Sequence, residues 1–320
     1  VITARAEDWP IRGTFTISRG AKTHARVVVC TITAKGAIGH GEAVPYARYG
    51  ETVDGVLAQL HGRDWPLDPF AIQALLPPGA ARNALDCALW DWRAKHEGHR
   101  VHDLLIVPPP APLTTCFTLS LDTPEAMGRA AAEAADRPWL KLKVGADGGL
   151  AQISAVRAAA PKAKLVVDAN EAWPADRLDD LLAAAAGLDV AMVEQPLPAG
   201  QDDVLAGRTP PVPLCADESC HTSADIPRLA ALYQAVNVKL DKTGGLTEAL
   251  ATAKAARVAG LSVMLGCMVG TSLGMAPAMY LGHLADVVDL DGPLLLARDR
   301  MPGLAYAGSV MAPPERDLWG

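Results

Sequence analysis

The sequence predicts an α/β barrel preceded by a smaller antiparallel domain, and three observations carry the prediction. Beyond residue 110, apolar runs recur every 21 to 27 residues, mostly with Ala/Leu-rich helical segments between them. Polar residues gather where those runs end. Before residue 110 the rhythm is different: "TFTIS", "ARVVVCTITA" and "AIGHGEA" alternate apolar and polar positions between glycines, the pattern of an antiparallel meander. A helix follows in "ARNALDCALWDWRAKHEG", with Ala84, Leu85, Ala88, Leu89 and Trp92 on one face and Gly98 as its stop. "IVPPPAPL" reads as a linker. The later runs begin near Leu113, Leu140, Lys164, Val190, Leu214, Ala235, Ser262 and Asp286. Eight strands at that interval fit a (β/α) barrel, with a doubly wound open sheet as the competing arrangement. Trp9, Trp65, Trp90 and Trp92 are expected in the core of the first part.

Composition narrows the partners. The 320 residues are half hydrophobic, enough for one large domain or two. With 29 basic against 36 acidic residues, a net charge of -7 and no basic run, nucleic acid and anionic membrane are poor partners. Apolar stretches are short and interrupted, so no membrane span or signal segment is expected. Val1 in place of Met leaves room for a trimmed leader. The six cysteines lack zinc or redox spacing and are expected as reduced thiols of a cytoplasmic protein.

In a barrel of this kind, chemistry belongs at the C-terminal ends of the strands. Strand two ends in Lys141 and Lys143, strand three in Asp168 and Asn170, strand four in Glu194, and strand five in Asp217 and Glu218. Strand six offers Asn237 and Lys239, and strand eight offers Asp289 and Asp291. A single carboxylate at a strand end is usually a turn residue or a cap. Three at consecutive strands, bracketed by lysines, ask for another explanation. Asp168, Glu194 and Asp217 would converge as hard oxygen ligands, a set that suits Mg²⁺, or Mn²⁺, over zinc. Lys143 and Lys239 would face each other from half a barrel apart, suited to removing a proton from one face of a carbon and returning it to the other. Neighbouring cations such as Lys141 and Mg²⁺ are expected to bring the lysine pKa down toward about 7–8.

The motifs "KLK", "DAN", "VEQP", "ADES" and "NVKLDKTGG", in this order after "ALDCALWDW", resemble the enolase superfamily in its muconate-lactonizing-type subgroup. "DLDGP" and "PYARYGE" look most like the dipeptide epimerases, specifically the L-Ala-D/L-Glu epimerase group. The resemblance implies a capping domain over residues 1–110, a (β/α)7β modified TIM barrel over 111–297, and a segment from 298 to 320 that returns to the cap. It implies Asp168, Glu194 and Asp217 as Mg²⁺ ligands, Lys143 and Lys239 as the two acid/base catalysts, and Lys141 as stabiliser of an enediolate. Asp289 and Asp291 would receive the α-ammonium of a small dipeptide. "SRGAKTHAR" matches a mobile loop whose arginine meets a glutamate side chain. Here Lys22 takes that arginine's place, with Arg19 and Arg26 beside it, and lysine lacks the bidentate fork. A homo-oligomer is compatible with this family.

Other chemistries compete. A mandelate-like enzyme or a sugar-acid dehydratase would need a histidine at the end of strand seven partnered by an aspartate on strand six, where this chain has Gly266-Cys267 and Lys239. A cycloisomerase or an o-succinylbenzoate synthase-like lyase keeps the lysines and the metal site, and only "DLDGP" and the basic loop argue against it. A non-enzymatic barrel has no use for two opposed lysines and three converging carboxylates.

Overall fold

The computed structural model describes residues 1–320. Strands β1 (Ile2–Ile17), β2 (Gly20–Ala34) and β3 (Ala37–Ala43) form an antiparallel sheet in that order. Helix α1 (Val53–Leu60) starts where the Thr52 hydroxyl accepts from Gly55 N, and α2 (Ala80–Glu97) stops at Gly98, whose φ of 76° is left-handed. The predicted apolar face of α2 is buried against Val28, Cys30 and Ile32 of β2. Its backbone rests directly on β3: a Cβ at Gly39 would lie 2.3 Å from Trp92 N, and one at Gly41 2.2 Å from Ala84 O. Trp65, Trp90 and Trp92 are buried, and Trp9 packs at the edge of the core.

After α3 (Val101–Leu105) and β4 (Leu113–Thr114), eight parallel strands follow around the barrel in sequence order. They are β5 (Phe117–Leu119), β6 (Trp139–Lys143), β7 (Lys164–Asp168), β8 (Val190–Glu194), β9 (Leu214–Ala216), β10 (Ala235–Lys239), β11 (Ser262–Gly266) and β12 (Val287–Asp289). The ring is completed by a bridge between Thr115 and Val288, where Cys116 N donates to Val288 O at 2.7 Å. That closure removes the open-sheet alternative. Between the strands run α4 (Pro124–Glu133), α5 (Leu150–Ala159), α6 (Leu178–Gly187), α7 (Ile226–Leu229), α8 (Leu240–Thr243) and α9 (Leu246–Val258). No helix is long and apolar enough to cross a membrane.

Three elements differ from expectation. Leu113 does not begin a barrel strand: β4 pairs with a C-terminal hairpin, Tyr306–Ala307 and Val310–Met311, and the first barrel strand starts at Phe117. The meander's first strand starts at Ile2 rather than at "TFTIS", because "RAEDWPIRG" lies on a sheet edge, mostly exposed, with a register shift between Pro10 and Phe15. The basic loop is a hairpin tip, with Ile17 paired to Gly20 and Phe15 to Lys22.

Candidate active site

Period-two alternation delivers the functional side chains. Val166, Met192, Cys215, Ala235, Met264 and Val287 form one buried cluster inside the barrel. Two residues further along the same face of each strand stand Asp168, Glu194, Asp217, Asn237, Gly266 and Asp289. The apolar layer is thus the floor of a polar layer at the barrel's C-terminal mouth. Gly266 is required there: a Cβ would lie 2.3 Å from Asn237 Oδ1.

A cavity of about 740 Å³ opens above this layer, roofed by the β1–β2 hairpin and by residues 44–53. Lys141, Lys143, Lys239, Asp217, Asp289 and Asp291 line it together. Asp168, Glu194 and Asp217 are buried, and each offers an oxygen within 4.8 Å of the others. Glu194 Oε2 accepts no hydrogen bond, although Lys141 Nζ stands 2.7 Å away. Three buried carboxylates with oxygen donors alone fit a hard divalent cation.

The lysines share these carboxylates. Lys143 Nζ donates to Asp168 Oδ2 at 2.5 Å, and Lys239 Nζ to Asp217 Oδ2 at 2.6 Å. Lys141 Nζ lies 2.8 Å from Asp289 Oδ2 and 3.3 Å from Asp168 Oδ2. Burial pushes the Glu194 carboxyl up to about 7, helped by the neighbouring Asp168. For Asp168 burial acts the same way, but Lys143 and Lys141 outweigh it and hold the group at about 2. Burial would depress the Lys239 amine, yet Asp217 overrides it and keeps the group well above the lysine range. The depressed lysine expected from a neighbouring Lys141 is therefore opposed by closer carboxylates, the same ones a divalent cation would draw on. Burial, with Asp289 beside it, raises Asp291 to about 7, while its Oδ2 accepts from Thr118 N at 2.6 Å.

On the cap, Arg19 is already engaged: it bridges Glu218 at 2.7 Å and Glu171 at 3.1 Å, and donates to Asn170 O and Tyr46 OH. Arg26 pairs with Asp8 in an exposed contact at 3.1 Å. Lys22 has its ammonium 4.9 Å from the centre of the Tyr46 ring. All three line the cavity. Sequence reasoning noted Glu218, Asn170 and Asn237 at strand ends without giving them roles. Asn237 Nδ2 holds Glu194 Oε1 at 2.8 Å, and buried Glu218 anchors the hairpin through Arg19. Gln195, overlooked in the sequence, accepts from Asp217 N and Ser219 N on one oxygen, and its only signal was its place beside Glu194.

Comparison with known proteins agrees with this arrangement. Residues 126–294 match the family described as Enolase C-terminal domain-like, and residues 1–105 match the Mandelate racemase / muconate lactonizing enzyme, N-terminal domain. The chain is 44% identical over 306 residues to the L-Ala-D/L-Glu epimerase of Escherichia coli, covering 94% of this chain and 95% of that one. It is also 44% identical over 300 residues to an N-acetyl-D-glutamate racemase of Pseudoalteromonas, covering 92% and 95%. Among solved structures, an enolase family member from Agrobacterium tumefaciens with homology to dipeptide epimerases, holding sodium and L-Ala-L-Glu, superposes with a TM-score of 0.95 at 48% identity, covering 100% and 99%. A dipeptide epimerase from Enterococcus faecalis, complexed with Mg and L-Leu-L-Tyr, gives 0.88 at 28%, covering 98% of this chain and 96% of that one. With both domains matched and relatives this similar along nearly their whole length, the chain belongs to the mandelate racemase/muconate lactonizing enzyme family of the enolase superfamily.

Proposed function

We propose that this protein is a Mg²⁺-dependent dipeptide epimerase, an isomerase, whose preferred substrate is L-Ala-D/L-Glu. The observation that carries the reading is the placement of Lys143 and Lys239 on strands half a barrel apart, both lining the cavity that also exposes Asp217, Asp289 and Asp291. An amine on each side of the reacting carbon lets one remove the α-proton while the other returns a proton to the opposite face. Asp168, Glu194 and Asp217 would hold Mg²⁺, and the same oxygens would accept Mn²⁺. When bound, the ion supplies a Lewis acid that offsets negative charge developing on the substrate carboxylate. Lys141, among Asp168, Glu194 and Asp289, adds fixed positive charge to the same region. Asp289 and Asp291 would receive the amino-terminal ammonium, and Lys22, Arg19 or Arg26 an anionic second side chain.

The domain assignment that accompanies this reading is a cap over residues 1–110, a barrel over 111–297 and a returning segment over 298–320. The last is supported by Trp319 Nε1 donating to Cys87 O and by Gly320 N donating to Asp91 Oδ1, both on α2.

Incubation of L-Ala-L-Glu with the protein and Mg²⁺ in deuterated water, followed by proton NMR, tests the function. Loss of the glutamate α-proton with growth of the L-Ala-D-Glu signals is expected, and an unchanged spectrum overturns the reading. A second reading is racemisation of an N-acylated glutamate. It is favoured by the Pseudoalteromonas relative and by the ion pair that already ties Asp289 to Lys141.

A further inference from the structure

Lys242 is a fully buried lysine that the proposed chemistry does not use. It sits on α8, three residues past Lys239, with its side chain 0% exposed. It does not line the cavity that holds Lys141, Lys143 and Lys239, so it has no path to a substrate atom. Its ammonium is fully committed elsewhere. Nζ donates to Asp217 Oδ1 at 2.6 Å, to Asp217 O, and to Asn237 O at 2.9 Å. Three donors meet three acceptors, so the buried charge is hydrogen-bonded on all sides.

These contacts reach two of the three converging carboxylates. Asp217 is gripped at its side chain and its carbonyl by one ammonium, and its N–H donates to Gln195 Oε1 at 2.9 Å. The remaining oxygen, Oδ2, faces Lys239 and the cavity side. Asn237, whose carbonyl Lys242 also holds, uses its own amide to hold Glu194 Oε1. One buried cation therefore couples the end of β9 to the end of β10 and, through Asn237, to the end of β8.

We infer that Lys242 is a positioning residue for the metal site: it fixes the Asp217 carboxylate, and through Asn237 the Glu194 carboxylate, in the geometry that receives the cation. The inference rests on the assignment of Asp168, Glu194 and Asp217 as the metal ligands. Outer partners of metal ligands are typically worth ~10–100-fold in metal affinity. Charge alone predicts the opposite sign, since deleting the cation beside the Asp217 carboxylate should tighten Mg²⁺ binding.

The test is Mg²⁺ affinity, measured by calorimetric titration of the substrate-free protein, for the wild type, Lys242→Met and Asp217→Asn. Lys242→Met is expected to bind Mg²⁺ ~10–100-fold more weakly while retaining a folded circular dichroism spectrum. If it does not fold, Lys242→Gln, which keeps one donor, is titrated with the same expectation. Wild-type or tighter affinity in a folded Lys242 variant, with Asp217→Asn impaired, overturns the positioning role alone. Unimpaired binding in Asp217→Asn overturns the ligand assignment and this inference together.

Discussion

Lys143 and Lys239 oppose each other across the barrel mouth, and each donates to a different carboxylate, Asp168 at 2.5 Å and Asp217 at 2.6 Å. The pairing gives each amine its own anchor on its own side. With one base per face, a single substitution should stop epimerisation by ~10²–10⁴-fold yet spare exchange of the epimer whose α-proton meets the surviving lysine. In deuterated water, Lys143→Ala and Lys239→Ala should wash label into opposite epimers of Ala-Glu. Label entering the same epimer in both variants would contradict the opposed-base arrangement.

Metal removal should be just as informative. Exhaustive chelation is expected to abolish activity while the far-ultraviolet spectrum stays unchanged, and added Mg²⁺ should restore turnover. Asp217→Asn should lose about 10³-fold or more, the equivalent of several kcal/mol of charge stabilisation. Full turnover in chelator-treated protein would remove the metal from the mechanism.

Substrate identity is decided at the two ends of the dipeptide. N-acetylation of L-Ala-L-Glu removes the cation that Asp289 and Asp291 would receive, so its kcat/KM should fall by ~30-fold or more, the cost of unpairing a buried charge. Equal or better turnover of N-acetylglutamate would favour the racemase reading instead. At the other end, Lys22→Glu should lower kcat/KM for Ala-Glu by roughly tenfold, a modest figure because the site is open to solvent, and should spare a dipeptide ending in leucine. Preference of the wild type for the apolar dipeptide would keep the epimerase class and discard the glutamate assignment.

A pH effect on stability should arise at the contact between cap and barrel. Asp241 is half-buried, and desolvation there pushes its carboxyl up to about 7, with Glu51 and Glu42 adding to the rise. The unfolded chain releases the same proton near ~3.9. Stability from this group is therefore complete below about pH 4 and declines as pH rises through 7. Both of its hydrogen bonds, from Val44 N at 2.8 Å and Asn83 Nδ2 at 2.9 Å, fall on Oδ1, which an amide can reproduce. Asp241→Asn should flatten the fall in unfolding free energy between pH 4 and 7, by on the order of 4 kcal/mol at most. Identical urea midpoints versus pH in the two proteins would refute this.

The barrel was legible because most inward strand faces end their apolar run in a polar or charged residue, as in Val166 to Asp168 and Met192 to Glu194. The spacing of those ends carried the topology. Less visible was β1, where Asp8, Pro10 and Gly13 interrupt the alternation and an edge position removes the need for a buried face. Leu113 misled for a related reason: a lone apolar residue after a proline-rich linker serves a two-residue strand as readily as a barrel stave. Glu218 and Gln195 escaped assignment because their roles lie in partners that only folding brings together. Arg19 meets Glu218 from 199 positions away, and nothing local to either residue announces the pair.

Strand β2 has a further consequence. Its successive residues belong to different interiors, Val28, Cys30 and Ile32 to the cap's and Val27 and Val29 to the barrel's, and α2 is divided likewise between Leu85 and Leu89 on one side and Cys87 and Trp90 on the other. Neither interior can melt while the other keeps its shape, since each would strip a wall from its neighbour. In evolutionary terms the cap is not a module to be exchanged between barrels. A change of specificity has to come from point substitutions at the hairpin tip and the strand ends, with the shared wall held constant.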